Sequence, residues 1–412
     1  MNLSYRCVSC GNTFNSDQIH YLCRTCGSSN ASGFQKGVLI VENEPTKACR
    51  KNAAIDPLSF LPLPVPAITS FPAGNTPLVV PSRSQLRLGL PGLSIKNECT
   101  NPSGSLKDRA SLLVAGQAIH HKQRRIVLAS TGNAGSAMAC VGAACGLDVI
   151  LLVPSSAPKA KIIQSLMYGA KVIPVQGTYD DAFKLSIDYS LTYGGINRNT
   201  AYNPLTVEGK KTAALELYNQ LQFRVPDIIY IPAGDGVIFA GLCKGFLDLL
   251  RADLIRELPR CVMVQAAGSS AIVQSWSEGR DVILDKADTI ADSLAVASPA
   301  NGEMSLQYLK RTKGWGITVS DAEILAAQKT LASEAGLFVE PSAATAWAGL
   351  EKDRRQKATD QYYADATIVV LLTGIGFKDM AAAEHLVHLP RSCPPDIDAV
   401  HDYLHGTYKL IY

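Results

Sequence analysis

Short runs of consecutive apolar residues alternate along most of this chain with longer segments of helical period. Residues 126–130, 148–153, 170–176, 227–232, 260–265 and 366–372 read as buried strands. Between and around them, 136–145, 159–169, 179–192, 208–221, 237–251, 321–335 and 341–352 read as helices. A strand that is apolar on both faces belongs in a sheet covered on both sides, and alternation with helices makes that sheet mostly parallel. The fold class is therefore α/β. In such sheets ligands bind beyond the carboxyl ends of the strands. Upstream, 74–80 reads as a turn entering a strand and 92–97 as a further strand. Residues 37–70, with Pro57, Pro62, Pro64 and Pro66, read as an irregular extended connector whose Leu58, Phe60, Leu61 and Leu63 lie over a larger body.

The loops at the strand ends carry the candidate chemistry. Residues 101–110 read Asn-Pro-Ser-Gly-Ser-Leu-Lys-Asp-Arg-Ala, a turn at Pro102 and Gly104 running into a helix. Ser105 and Asp108 have the spacing of a capping box, which puts Lys107 in the first helical turn. The positive end of the helix dipole disfavours an ammonium there and favours a neutral amine, the form that condenses with an aldehyde. Alone, the same pattern also describes a surface lysine at an ordinary capped helix. Three loops give the amine company. Ser130-Thr-Gly-Asn-Ala-Gly135 offers hydroxyls, an amide and N–H groups at a helix start, suited to a carboxylate or a phenolate oxygen. Pro232-Ala-Gly-Asp-Gly-Val237 offers a glycine turn at another helix start, suited to phosphate. Asp235 is an acid where an anion should sit, so its side chain must turn away or bond to its own loop. Thr373-Gly-Ile-Gly376 ends the last strand with a hydroxyl. Neither glycine turn matches G-x-G-x-x-G, and the chain contains no G-x-x-x-x-G-K-[ST], which sets aside dinucleotide and P-loop readings. An aldehyde partner, a phosphate cup and partners for a ring oxygen and a pyridine nitrogen are together what pyridoxal 5′-phosphate requires.

Composition narrows the class further. At 412 residues, with 47% hydrophobic and 18% charged residues and a formal net charge of +3, this is a globular chain of two or three domains. It has no basic excess pointing to nucleic acid and no apolar run long enough to cross a membrane. The opening Met-Asn-Leu-Ser-Tyr-Arg leads directly into a cysteine motif, so no signal peptide is expected. Cys7-x2-Cys10 and Cys23-x2-Cys26 are separated by twelve residues, a spacing that brings four thiolates around a structural Zn²⁺. The segment between them, 12–22, has the length of a short hairpin, and His20 is surplus to the ligand set. A unit this small needs the metal to fold. The other cysteines (Cys49, Cys99, Cys140, Cys145, Cys243, Cys261 and Cys393) are scattered, which suits a reducing cytoplasm.

With these residues in place, the chain resembles the threonine synthase family. The resemblance rests on 101–110, on Ser-Thr-Gly-Asn-x-Gly at 130–135, on Asn203-Pro-x-x-x-Glu-Gly-Lys-Lys-Thr212, on Glu340-Pro-Ser-Ala-Ala344 and on Leu372-Thr-Gly-x-Gly-x-Lys-Asp379. It runs from about residue 5 to about residue 390. Its members are pyridoxal-phosphate lyases of fold type II, the tryptophan-synthase-β-like fold, and an N-terminal zinc-ribbon-like segment also occurs among them. The resemblance implies that Lys107 carries the cofactor and shuttles protons. It further implies that Asn133 meets the ring oxygen, that Gly234, Asp235, Gly236 and Val237 cup the phosphate, and that Thr373 meets the pyridine nitrogen. A neutral hydroxyl at that nitrogen leaves it largely unprotonated and moderates the electron sink. Ser130, Thr131, Asn203 and Lys210 fall on the substrate side. The family reaction converts O-phospho-L-homoserine and water to L-threonine and phosphate, so the implied partner is a small phosphorylated amino acid, and a homodimer is the implied assembly. The implied organisation is a zinc-ribbon-like segment at 1–36, a large cofactor-binding domain from 37–111 and 212–412, and a small mobile domain at 112–211.

Departures from the family pattern bear on the substrate. Ile375 stands where a histidine is frequent, Thr206 where an arginine is frequent, and Asp235 is not the commonest cup residue. Lys161, Arg198, Lys210 and Lys211 are the cations available to replace the arginine. The competing readings are a related β-replacement enzyme or lyase, such as cysteate synthase acting on O-phosphoserine or a serine/threonine dehydratase, and a silent scaffold using the cysteine segment as its interaction module. Intact Lys107, Asn133 and Thr373 speak against the scaffold.

Overall fold

The computed structural model describes residues 3–29, 35–42, 51–63, 71–155, 159–357 and 361–408. It contains two mostly parallel sheets. The smaller has the order Lys171–Val175, Asp148–Pro154, Arg125–Ala129, Ile196–Asn197, all parallel. The larger has the order Trp315–Val319, Arg260–Ala266, Ile228–Pro232, Ile368–Leu372, Leu93–Asn97, Leu78–Val79, with only the last pair antiparallel. The central strands of the larger sheet, Ile228–Pro232 and Ile368–Leu372, are buried along their whole length, as the apolar runs require. The helices begin where their chemistry allows. Thr178 with Asp181 and Ser320 with Glu323 form reciprocal capping boxes, and Pro341 opens Pro341–Gln356 at the first helical position. The helices Val237–Arg251 and Asp321–Ala335 have the predicted limits.

Several expectations are corrected. The lysine helix, Lys107–His120, is not capped by Ser105: its N-cap is Leu106, without a side-chain cap. Ser105 is drawn into a bridge with Gly374, and the Asp108 carboxylate instead accepts from the backbone N–H of Ser103 at 2.7 Å and from the Ser103 hydroxyl. The helix after the 130–135 loop starts at Asn133 rather than Ser136. No hairpin spans 12–22; Thr13–Ser16 pairs with Leu3–Cys7, so the first cysteine knuckle is itself the turn. Leu39–Glu42, read as irregular, is a strand on the other side of Leu3–Cys7. The rest of the connector does lie over the larger body: Asn219 bonds both the N–H and the carbonyl of Ile55, and Phe60 and Leu63 are buried. Its Pro64 and Pro66 lie outside the described residues. The helices Ser82–Leu88, Ala271–Glu278, Gly302–Arg311 and Ile397–Tyr408 and the strand Trp315–Val319 were not expected. No helix among the described residues is long and apolar enough to cross a membrane.

Candidate active site

The carboxyl end of the last strand is a junction. Leu106 N–H donates to Thr373 O at 3.0 Å, Ile375 N–H to Gly104 O at 3.0 Å, and Glu340 N–H to Gly374 O at 3.1 Å. The lysine loop, the Thr373 loop and the start of Pro341–Gln356 are thereby fixed to one another. Gly374 is close-packed: a Cβ there would collide with the Glu340 carboxylate and approach the Asn133 amide. Asn133 reaches this junction from the smaller sheet, donating Nδ2 to Glu340 Oε1 at 2.7 Å. Glu340 was quoted in the sequence as part of a motif without a role. An acid directly before a proline-initiated helix was the available signal. Burial pushes its carboxyl above the ordinary range, with Lys161 and the Asn133 amide opposing.

Lys107 stands at the first helical position. Burial lowers its pKa, opposed by Asp235 and Glu340 and assisted by Arg198 and Lys161. Desolvation is thus the dominant cause of the lowered pKa. The 232–237 loop, the candidate phosphate cup, sits at the start of Val237–Arg251. Gly236 caps that helix with φ +89°, and a Cβ there would collide with Ser305 Oγ, so only glycine fits. The Asp235 carboxylate bonds its own loop, accepting from Val237 N–H at 3.0 Å. Ser130 likewise ties its loop, its Oγ accepting from Gly132 N–H at 3.2 Å and Gly135 N–H at 3.0 Å. Thr131 is half-buried beside it and Thr373 is buried. Asn203 is fully occupied: Nδ2 donates to Gln117 Oε1 and Asn197 O, both at 2.9 Å, and Oδ1 accepts from Leu205 N–H at 3.0 Å.

The candidate cations separate sharply. Lys161 pairs with Asp292 at 2.5 Å. Lys211 pairs with Glu208 at 2.7 Å and Asp248 at 2.8 Å. Arg198 and Lys210 are both 0% exposed, yet among the described residues neither has a carboxylate within ion-pair distance. Arg198 donates to Thr200 Oγ1 at 2.8 Å and, at 3.4 Å, to Ser111 Oγ, one helical turn beyond Lys107 and on the same face. Among the described residues Lys210 Nζ donates only to the Thr206 carbonyl, at 3.0 Å. Burial, then Arg198 and Lys107, hold the Lys210 amine well below its usual range, with Asp235 opposing. Burial lowers Arg198 to about 10, with Tyr179 and Asp235 opposing. Lys378, part of the 372–379 motif but without a role assigned from sequence, donates to Ser136 Oγ at 3.0 Å across the junction and is lowered by burial to about 8.

These residues fit pyridoxal phosphate. Asn133 Oδ1, Glu340 Oε2 and Ser342 Oγ are buried without hydrogen-bond partners around the strand end, and buried polar atoms of that kind normally have partners. A glycine-only helix start and cations without acids match a phosphate. At the N-terminus, the Sγ atoms of Cys7, Cys10, Cys23 and Cys26 all lie within 4.8 Å of one another, with Cys7–Cys26 at 3.5 Å and Cys10–Cys23 at 3.7 Å. Tetrahedral zinc thiolates at 2.3 Å imply sulfur separations of about 3.8 Å. His20 is engaged elsewhere, with Ser16 Oγ at 2.9 Å and the Arg24 guanidinium at 2.6 Å.

Comparison with known proteins agrees with this geometry. Residues 69–374 match the family model described as pyridoxal-phosphate dependent enzyme. A threonine synthase of Methanosarcina acetivorans is 30% identical over 411 residues, covering 98% of this chain and 99% of its own length. One from Methanocaldococcus jannaschii is 33% identical over 382 residues, covering 92% and 93%. Among solved structures, a fungal L-serine ammonia-lyase from Rhizomucor miehei superposes with a TM-score of 0.67 at 24% identity, covering 76% of this chain and 97% of its own. The threonine deaminase isoform 2 of Solanum lycopersicum gives 0.66 at 23%, covering 78% and 90%; these two share the fold. A lysine at a helix start, the strand-end loops around it and a near full-length match together place the chain in the threonine synthase family of fold type II pyridoxal-phosphate dependent enzymes.

Proposed function

We propose that this chain converts O-phospho-L-homoserine and water to L-threonine and phosphate, with pyridoxal 5′-phosphate carried by Lys107. The observation that carries this reading is the pair of buried, acid-free cations, Arg198 and Lys210, beside Lys107. A phosphate-bearing substrate uses them, and a serine or threonine dehydratase has no need of them. When bound, the cofactor supplies an electron sink that acidifies the protons of a bound amino acid. Lys107, whose amine burial shifts toward the free base, accepts and returns those protons, and one such base serves successive transfers. Gly234 and Gly236 would cup the cofactor phosphate, without the Val237 N–H that the sequence offered, Asn133 would meet the ring oxygen and Thr373 the pyridine nitrogen. Asp235 takes the Val237 N–H for itself, and the Arg198 guanidinium offsets its charge. Ser130 and Thr131 with their loop would hold the substrate carboxylate, while Asn203 shapes the turn that carries Arg198. Lys161 and Lys211 have acids of their own, so the role of an arginine at Thr206 falls to Arg198 and Lys210. Lys210 is one helical turn beyond Thr206 and bonds its carbonyl.

We assign residues 112–211 as the mobile unit. Lys161–Asp292, Asn133–Glu340 and Lys378–Ser136 are the contacts it makes on closing, which excludes water from the site. The four cysteines hold one structural zinc, and the cytoplasm is where such thiols stay reduced. One assay tests the reaction: the purified holoenzyme is given O-phosphohomoserine, O-phosphoserine with sulfite, and serine in turn. Threonine and phosphate from the first alone are expected. Turnover only of O-phosphoserine with sulfite makes the chain a cysteate synthase, and turnover only of serine makes it a dehydratase. For the metal, one zinc per chain that is lost in Cys7→Ser is expected; a metal-free parent protein defeats that assignment.

A further inference from the structure

The cysteine segment stands far from the chemistry in sequence, and the proposed reaction gives it no task. It nevertheless touches the one turn that brings Arg198 to the lysine helix. The Tyr21 hydroxyl accepts from Asn197 N–H at 2.9 Å. The Tyr21 ring stacks on Tyr202 with centroids 4.7 Å apart and planes 14° from parallel. Gln35 Nε2, itself buried, donates to Ala201 O at 3.1 Å. These contacts bracket a strained residue. Ala201 has φ +66°, and among the described non-glycine residues of positive φ it alone is buried. The left-handed region is disfavoured for a residue with a Cβ, so the turn holds this shape only where its surroundings over-determine it. The segment is braced from behind as well: Ser9 Oγ donates to Glu303 Oε2 at 2.7 Å, and Glu42 bonds both Arg6, at 2.7 Å, and Arg251, at 3.2 Å.

We propose that Tyr21 and Gln35 are positioning residues for phosphate binding: through Asn197, Ala201 and Tyr202 they hold the strained turn that presents Arg198 to the Lys107 face. This rests on the reading of Arg198 as a phosphate-binding cation. Without the brace, the turn relaxes toward negative φ at Ala201 and the guanidinium leaves its place against Ser111. The cysteine segment is then a rigid prop that locks one wall of the active site, and its metal acts on phosphate affinity at second hand.

The test uses the full-length holoenzyme and four variants: Tyr21→Phe, Tyr21→Ala, Tyr21→Ala with Ala201→Gly, and Arg198→Gln. Inorganic phosphate affinity, KM against kcat, cofactor absorbance and amide hydrogen exchange over 197–203 are measured. Tyr21→Ala should weaken phosphate and raise KM about tenfold, with kcat within about twofold, absorbance unchanged and faster exchange over 197–203. Tyr21→Phe, which keeps the stack and removes the acceptor, should fall between it and the parent. Ala201→Gly removes the steric penalty and should restore most of the lost affinity. Parent-like phosphate affinity in Tyr21→Ala overturns the proposal, and so does a loss that Ala201→Gly fails to reverse. Phosphate binding needs no turnover, so a parent chain inactive on O-phosphohomoserine defeats the proposed reaction without touching this result. Parent-like phosphate affinity in Arg198→Gln defeats the phosphate role of the turn, and the positioning claim with it.

Discussion

Lys210 and Lys211 are adjacent, equally buried and on one helix, yet they belong to opposite electrostatic settings. Lys211 points into a balanced cluster in which it and Lys244 face Glu208 and Asp248. A second balanced cluster lies under the lysine helix, where Arg109 and Lys96 face Glu98 and Glu216 at 2.6–2.8 Å. Lys210 points the other way, toward Arg198 and Lys107, with Asp235 as the opposing acid. Burying a charge without its partner costs several kcal/mol. A scaffold therefore neutralises what it buries, and an excess of one sign is kept where it serves a ligand. The two balanced clusters fasten helices together. The unbalanced one lies beside Lys107, where the proposed reaction needs a phosphate site.

The largest effect should come at the amine itself. Lys107→Ala should abolish the visible Schiff-base absorbance and lower turnover by ~10³-fold or more, with melting temperature unchanged or raised because a buried amine is gone. A variant that keeps the chromophore breaks the assignment of the whole cleft. Next, Arg109→Met leaves Glu98 and Glu216 buried with Lys96 as their sole remaining cation, and should cost about 3–5 kcal/mol in denaturant unfolding. A loss below about 1 kcal/mol would remove the contrast between scaffold and site.

Asp108 lies between the two regions and gives a pH signature. Burial pushes its carboxyl up to about 6, against the two bonds from Ser103. A raised carboxyl favours the protonated folded state, so its contribution is complete below the ordinary value of 3.8 and is lost as pH rises through about 6. Across that interval the stability of the parent relative to Asp108→Asn should fall by about 2–3 kcal/mol; a flat difference rules the shift out. The smallest effect sharpens the opening contrast most. Lys210→Met should weaken phosphate binding about 10- to 100-fold, or about 1.4–2.8 kcal/mol, and leave stability level or higher. Lys211→Met should do the reverse, and isothermal titration beside unfolding curves separates the two.

Lys107, Asn133 and Thr373 were legible in the sequence because each ends a strand or starts a helix in an α/β pattern, where such loops converge. Ser105 shows the limit. Its spacing to Asp108 is that of a capping box, but a bridge to Gly374, far along the chain, claims its backbone. Asn203 stands inside a recognisable motif, and only its neighbours show that its hydrogen bonds are already taken, by its own turn and by Gln117 of the lysine helix. Glu340, Lys378 and Ser342 carried too little local signal, since their meaning comes from burial beside the strand end.

The sequence by itself determined the alternation of strands and helices, the family, the candidate aldehyde-binding lysine and the cysteine spacing, because each is written in residues a few positions apart. The tertiary structure decided which cations have acids and which do not, and that the cysteine segment braces the turn of Arg198. Charge balance and strain at Ala201 are sums over neighbours distant in sequence, and such sums exist only once the chain is folded.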